Sequence, residues 1–506
     1  MSLLRSSLLV GLGSIASRIL GFARDILFAQ ALGAGPVADA FLAAFRFPNL
    51  VRRIVGEGGL NPALVPALSR LEQDDSARMA GDVVSAFALA LLGLTALVEI
   101  GAGLLALFLA PGLHDDGMLA LVALYTRLAF PMVFGVTLAS ILAAFLNMRG
   151  RFTATAFAPL AVNGGLILAL VVLEIGFTLP MNEKAAWLAV ASSLAGLLQL
   201  ALVAAALRRS ETRIVRFRRP QWSPALKNLL LSGFPVLVAS GAVQLFFLVG
   251  AQVASFWPSG VSWLYYADRV VQLPLGLMAA VGASVLLPEL ALRLQAGETW
   301  AVVRAQNKAL EVALLLALPA SAALFILAES MTAILFERGA FLVSDARGTA
   351  RVLMGLSLGL PFATAAKVLS QTLFARGSLR ATIVAAGIGM LATLGAAPLL
   401  GWPYGPPGIA LGISLACMAH AAAILWWLAR FGLWSPDRPF FDRLGRIAFS
   451  TLAMSAGLLA ARSLAPPAGA AGLAAFCFGG LLLYALAAWL TGAITRDDWA
   501  SIAKKA

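Results

Sequence analysis

Eight charged residues interrupt two apolar stretches near the start of the chain, SRILGFARDILFAQALGAGPVADAFLAAFRFPNLVRRIVGEGG: Arg18, Arg24, Asp25, Asp39, Arg46, Arg52, Arg53 and Glu57. A charge at membrane depth costs on the order of 2.5 kcal/mol or more unless it faces protein or water, so a helix pair this charged should line something wet. Arg18 and Asp25 stand seven apart, and Asp39, Arg46 and Arg53 repeat that spacing, which places each set on one face of a helix. A second group occurs in WLYYADRVVQLP, where Asp268 and Arg269 are followed one turn later by Gln272. Guanidinium presents planar donors that match phosphate bidentately, so the chemistry open to these residues is holding an anion. Covalent chemistry lacks its parts. His114 and His420 are the only histidines, Cys417 and Cys477 sit in apolar runs, and neither a Ser/His/Asp arrangement, nor paired carboxylates, nor metal-ligand spacing emerges.

Each charge has a competing structural role. Arg46, Arg52 and Arg53 lie toward one helix end and can snorkel to the membrane surface. Apolar sequence continues well past Arg18, Arg24 and Arg269, so their alternative is a buried ion pair: Arg18 or Arg24 with Asp25, and Arg269 with Asp268. Glu57 reads equally as a ligand contact or as half of a cytoplasmic latch. Arg127, Arg351 and Lys367 read as gating or structural pairing.

The rest of the chain must position these groups, and its composition says in what medium. It has 506 residues, 61% hydrophobic and 12% charged, where a soluble chain carries roughly 25% charged. Mean hydropathy is +0.90. Apolar runs long enough to span a bilayer fall near 4–32, 36–56, 80–110, 118–147, 153–175, 185–207, 225–250, 261–290, 309–330, 348–375, 381–400, 407–429, 444–464 and 469–492. The expectation is an all-α polytopic membrane protein of about fourteen transmembrane helices. The start resembles a signal peptide but runs unbroken into Arg18 and Arg24, so it is taken as a retained first helix.

A net charge of +13 in a soluble protein would suggest nucleic acid, but the placement of the cations argues otherwise. Of the 37 Lys and Arg, 26 fall on alternate connections and the termini, 4 on the opposite connections and 7 within helices. By the positive-inside rule both termini are cytoplasmic. No nucleic-acid partner is expected.

The chain also repeats itself. FRFPNLVRRIVGEGGLNPALVPALSRL resembles VVQLPLGLMAAVGASVLLPELALRL, and FPMVFGVTLASILAAFLNMRGRFTAT resembles LPFATAAKVLSQTLFARGSLRAT, at shifts of 226 to 230 positions. Six helices therefore recur in the same orientation. The expected organisation is a first lobe at 1–220, a second at 221–434, and two further helices with a cytoplasmic tail at 435–506. Parallel repeats of this kind place substrate between lobes and work by rocking. Prolines at 48, 131, 235, 274 and 361 lie within expected spans, and each can bend its helix.

SRILGFARD, ADAF, FRFPNLVRRI with GEGGLNPALVP, and YYADRVVQLPLG resemble the MurJ (MviN) family of lipid II flippases in the MOP exporter superfamily, and the likeness extends over essentially the whole chain. The resemblance implies alternating access without covalent chemistry. The cargo is lipid II, the undecaprenyl-diphosphate-linked precursor of peptidoglycan, moved to the outer leaflet of the bacterial cytoplasmic membrane. It implies Arg18, Arg24, Arg52 and Arg269 as substrate-binding residues, with Asp25, Asp39 and Glu57 as supporting acids and gate; Asp268 joins these acids by its place beside Arg269, and Arg46, Arg53 and Gln272 are secondary candidates. Implied partners are lipid II, membrane lipids and the cell-wall synthesis and division machinery. No cofactor or metal is expected. Relatives thought to bind sodium use carboxylates on two helices of the second lobe, which here read LLLSGFPVLVASGAVQLFF and ATIVAAGIGMLATLGAAPLL without an acid, so membrane potential stands beside a coupling ion as driver. Alternatives are a flippase for another polyprenyl-diphosphate oligosaccharide and a MATE-like drug exporter, although an exporter of organic cations should show acids where this chain shows arginines. A non-transporting scaffold for cell-wall enzymes is a third.

Overall fold

A computed structural model describes residues 3–54, 73–114, 117–209, 227, 241–296, 299–376 and 378–494. Among them the chain is helical throughout, without a strand. In order, the helices are α1 (Leu3–Leu32), α2 (Pro36–Ile54), α3 (Gln73–Leu109), α4 (Met118–Ala129), α5 (Pro131–Met148), α6 (Thr153–Gly176) and α7 (Met181–Arg208). Then come α8 (Ala242–Ala254), α9 (Gly260–Gln295), α10 (Thr299–Ile326), α11 (Ala328–Phe336), α12 (Val343–Ser357), α13 (Leu360–Ala375), α14 (Leu379–Tyr404), α15 (Pro406–Arg430), α16 (Arg438–Leu464) and α17 (Gly469–Leu490).

Nine spans among the described residues are long and apolar enough to cross a membrane, α4 and α5 counting together as one; the bent pair α12 and α13 makes ten. The remaining four of the fourteen expected runs correspond to α1, α2 and α9, the charged helices, and to α8, whose run begins outside the described residues. Large apolar side chains such as Ile100, Leu104, Ile175 and Leu464 stand exposed. Such a surface would aggregate in water and is the ordinary outer face of a bundle in lipid.

The fourth span of each repeat is cut at a proline. Pro131 opens α5 just after α4, and Pro361 sits in the first turn of α13, which is separated from the end of α12 by two residues at a 44° bend. Proline has no N–H, so the carbonyl four residues earlier loses its helical donor. In one copy the Ser321 hydroxyl donates to the Ser357 carbonyl at 2.6 Å, the acceptor that Pro361 leaves without its donor. In the other, Ser193 donates to the Leu128 carbonyl beside the Pro131 break, also at 2.6 Å. Hydroxyls that replace missing ladder bonds are how membrane helices tolerate proline. Pro48 lies inside α2, where the Asn49 amide turns back to the Phe45 carbonyl at 2.9 Å. Pro274 lies within α9, and Pro235 falls outside the described residues.

Lipid gives helices no hydrophobic reason to associate, so close van der Waals approach of small residues does more of the work. Gly135 on α5 meets Gly196 on α7 so closely that an added Cβ would stand 2.4 Å from the Gly196 carbonyl group. Gly412 on α15 likewise approaches Ala397 on α14, where a Cβ would come within 2.7 Å of backbone.

The chain divides into two compact units. One comprises Met1–Gln244, Ala251–Ser262 and Arg338–Phe341; the other comprises Leu245–Gly250, Trp263–Glu337 and Leu342–Ala506. The core of the first includes Val83, Phe130, Leu142, Phe145 and Val203, contributed by α3, α5 and α7 with the junction residue Phe130. In the second, Leu310, Leu369, Ile424 and Phe440 join α10, α13, α15 and α16.

Helices outrun several of the apolar runs that announce them, because charged residues at membrane edges extend a helix without adding hydropathy. Arg443, expected in a cytoplasmic connection, is in fact buried on α16, pairs with Glu311 of α10 at 2.8 Å and donates Nε to the Ala493 carbonyl at 3.0 Å. The Tyr484 hydroxyl on α17 donates to the Leu315 carbonyl on α10 at 2.7 Å, so the last two helices are bonded to α10.

Candidate functional site

In the first unit the site is built on α1, α2 and α6. Arg24 is 6% exposed and Asp25 1% exposed. Adjacent helix positions do not ordinarily face each other, but the long arginine folds back so that Nε and Nη2 donate to Asp25 Oδ1 at 3.0 and 2.6 Å. Nη1 donates to Asn163 Oδ1 at 3.0 Å. The guanidinium also lies 5.5 Å from the Phe28 ring centre and 5.8 Å from that of Phe45. Phe28, Phe41 and Phe45 pack mutually with ring centres 5.4 to 5.8 Å apart, joining α1 to α2 beside the charge. Two alternatives left open by sequence are thereby separated: Asp25 pairs with its neighbour Arg24, and Arg18 is exposed on α1.

Asp39 is fully buried and works differently. Its Oδ1 accepts from the Ser262 backbone N–H at 2.8 Å and from the Ser262 hydroxyl. Ser262 lies in the first turn of α9, where backbone N–H groups lack helical acceptors and the helix dipole favours negative charge. Asp39 is thus a cap supplied from another helix. Arg46 is partly buried on α2. Arg52 and Arg53 belong to the last turn of α2 with side chains outside those described, and Glu57 lies outside the described residues.

The second unit holds the other group. Asp268 is 4% exposed and lies in the first third of α9. Gln272, one turn on, donates Nε2 to Asp268 Oδ2, whereas Arg269 Nη2 stays 3.9 Å from the same oxygen. The Arg269 guanidinium instead lies over the Tyr265 ring at 4.7 Å. A cation against an aromatic face keeps its edge donors directed elsewhere. Trp263 donates Nε1 to Asp345 Oδ1 at 3.4 Å, holding the start of this stretch to α12.

Sequence reasoning missed Asn163, although it stands as an isolated amide in TATAFAPLAVNGGLILALVVLEIG. A polar group in such a run needs a partner inside protein. It also missed Ser262 and Tyr265, whose side-chain types carry no such signal. Arg127 on α4 donates Nε to the Glu99 carbonyl at 3.1 Å, a structural contact. Among the described residues no cluster of His, Cys, Asp or Glu could hold a metal ion. Among the described residues the arrangement offers guanidinium donors in partly dry surroundings and no nucleophile paired with a base.

Comparison with known proteins gives a consistent picture. The family model described as lipid II flippase MurJ matches residues 28–478. A probable lipid II flippase MurJ from Rhizobium meliloti (strain 1021) is 34% identical over 475 residues, covering 91% of this chain and 87% of that protein. Among solved structures, a lipid II flippase MurJ in an inward closed conformation aligns with a TM-score of 0.79 at 23% identity, covering 97% of this chain and 99% of that one. An inward-facing MATE family multidrug resistance transporter of the MOP superfamily aligns at 0.68 and 17% identity, covering 82% and 94%. At such identities the structural likeness concerns the fold alone.

Proposed function

This chain belongs to the lipid II flippase MurJ family, and from that premise we propose that it carries lipid II from the inner to the outer leaflet of a bacterial cytoplasmic membrane, with both termini cytoplasmic. Arg24 is the observation that carries the reading. Its guanidinium is committed on one edge to Asp25 and at Nη1 to Asn163, which leaves outer N–H groups of Nη1 and Nη2 for a ligand. Planar paired donors fit a diphosphate. Arg269, set over a ring face and 3.9 Å from its acid, supplies a second cation of the same chemistry. Arg18 and Arg52 complete the proposed substrate-binding set.

Transport needs no bond making: the lipid is bound, the protein changes conformation, and the lipid is released. Membrane potential is the proposed drive, since moving a charge through it is worth about 2.3 kcal/mol per 100 mV and α14 carries no acid. Cell-wall enzymes that consume the product on the outer face are proposed neighbours.

The experiment is depletion in cells followed by labelling with a probe that reaches only outward-facing lipid II. The labelled fraction should fall as the protein is lost and return with the wild-type gene. The variant with Arg24 and Arg269 both changed to Ala should not restore it; full restoration would sink the assignment of these arginines. Unchanged labelling after depletion would favour a scaffold role.

A further inference from the structure

We infer that Asn163 is the positioning residue that sets the Arg24 guanidinium for a diphosphate, an inference resting on the reading of Arg24 as a substrate-binding group. The Asn163 amide is fixed at both ends. Nδ2 donates to the Ser17 backbone carbonyl at 2.9 Å, so Oδ1 is the atom presented to Arg24 Nη1 at 3.0 Å. The flipped amide would set an oxygen against a carbonyl and an N–H against a guanidinium N–H, so both bonds require this orientation. Ser17, Gly21 and Arg24 occupy one stripe of α1, spaced four and three residues apart. Asn163 lies across that stripe, and Gly21 leaves room for it: a Cβ there would already touch Nδ2 at 3.4 Å.

The neutrality of the amide matters. Asp25 already balances the charge of Arg24, and a second carboxylate would turn the neighbourhood negative and repel phosphate. An amide carbonyl oxygen gives direction without charge, and it meets the guanidinium at a different terminal nitrogen from the one Asp25 engages most closely. The two acceptors together hold the guanidinium plane, which a single-edge ion pair leaves free to pivot.

The repeat argues that packing alone does not require this amide. In the second copy the corresponding first and fifth spans, α8 and α14, meet at Phe246 and Gly389. There a Cβ on Gly389 would come within 2.3 Å of the Phe246 ring, and that ring packs edge-on to His420 at 5.7 Å. The second copy fills its corresponding crossing with an apolar pair. The first copy fills its own with an amide, and it is the copy that carries an arginine at this level.

The test uses the full chain in lipid nanodiscs and compares binding of undecaprenyl diphosphate with binding of undecaprenyl monophosphate. Arg24→Ala should abolish the preference for the diphosphate. Asn163→Leu should lower diphosphate affinity about tenfold, the effect of losing one hydrogen bond to a charged group, and leave monophosphate affinity within about twofold. Asn163→Asp, nearly identical in shape, guards against a folding defect. Melting temperatures of both variants report whether the fold persists, and Asn163→Asp should lose the diphosphate preference because it cancels charge and cannot donate to Ser17. If Arg24→Ala loses the preference and both Asn163 variants keep it, the positioning role is overturned and Arg24 as a ligand stands. If Arg24→Ala binds both lipids like wild type, the reading of Arg24 falls and the role of Asn163 falls with it.

Discussion

Arg24 and Arg269 bring the same charge into two different settings. Arg24 is buried and gripped by a carboxylate and an amide; Arg269 stacks on Tyr265 and keeps 3.9 Å from an acid that Gln272 already occupies. The difference teaches that a duplicated chain need not duplicate the setting of its buried charges. One copy has invested in orientation, since hydrogen bonds fix the plane of a guanidinium. The other has kept a cation over a ring face, which fixes position more than angle.

The largest effect that could break this contrast comes from removing Arg24. Arg24→Ala leaves Asp25 buried without its closest partner, and breaking a buried ion pair costs about 3 to 5 kcal/mol. Thermal unfolding in detergent should drop sharply, and adding Asp25→Asn should recover much of the loss without restoring growth rescue. Recovery of both would mean the pair is structural and nothing more.

Lysine scanning sharpens the comparison. Arg24→Lys cannot serve Asp25 and Asn163 with the same planar geometry, so flipping measured by outer-leaflet labelling should fall at least tenfold. Arg269→Lys keeps a cation that can still sit on Tyr265, and the same assay should show a loss of only a few fold. Equal losses would erase the distinction between a clamped and a stacked arginine.

Next in size is the ring itself. Tyr265→Leu should weaken diphosphate binding by about 0.5 to 2 kcal/mol, the range of a cation against an aromatic face, with Tyr265→Phe close to wild type. Smallest is Asp39→Asn, which retains an acceptor for Ser262 and loses only the charge near the start of α9. It should cost less than about 1 kcal/mol in unfolding experiments. Loss of transport at unchanged stability would show that Asp39 does more than cap.

The sequence displayed the helices because apolar runs, prolines and the alternation of loop charge are each local signals. It displayed the candidate arginines because a charge inside an apolar run is conspicuous. It did not display which acid each arginine would meet. Helical spacing puts Asp25 on one face with Arg18 and leaves Arg24 as the other choice; the side chain of Arg24 is long enough to turn back on its neighbour, and spacing rules describe Cβ directions rather than the reach of a four-torsion side chain. Nor did it distinguish the cap from the ion pair: Asp39 and Asp25 are the same residue in similar runs, and only the arrival of Ser262, 223 residues away, separates them. Arg443 illustrates the opposite error, a cation assigned to water by its position near a connection and buried against Glu311 by an earlier start to α16.

The serines at the two proline breaks have a mechanical consequence. An uninterrupted helix resists bending because each degree of bend stretches ladder bonds on its outer side. At the Pro361 break the bond is already gone and its carbonyl leans on Ser321, which belongs to a neighbouring helix; at the Pro131 break Ser193 of a neighbouring helix bonds the Leu128 carbonyl, one residue beyond the one that Pro131 leaves without its donor. Each repeat therefore contains one span with a soft joint, whose two halves can change angle while a hydroxyl swings with the carbonyl. Such a joint resists bending less than a continuous helix does, so its angle is set by the helices packed on either side.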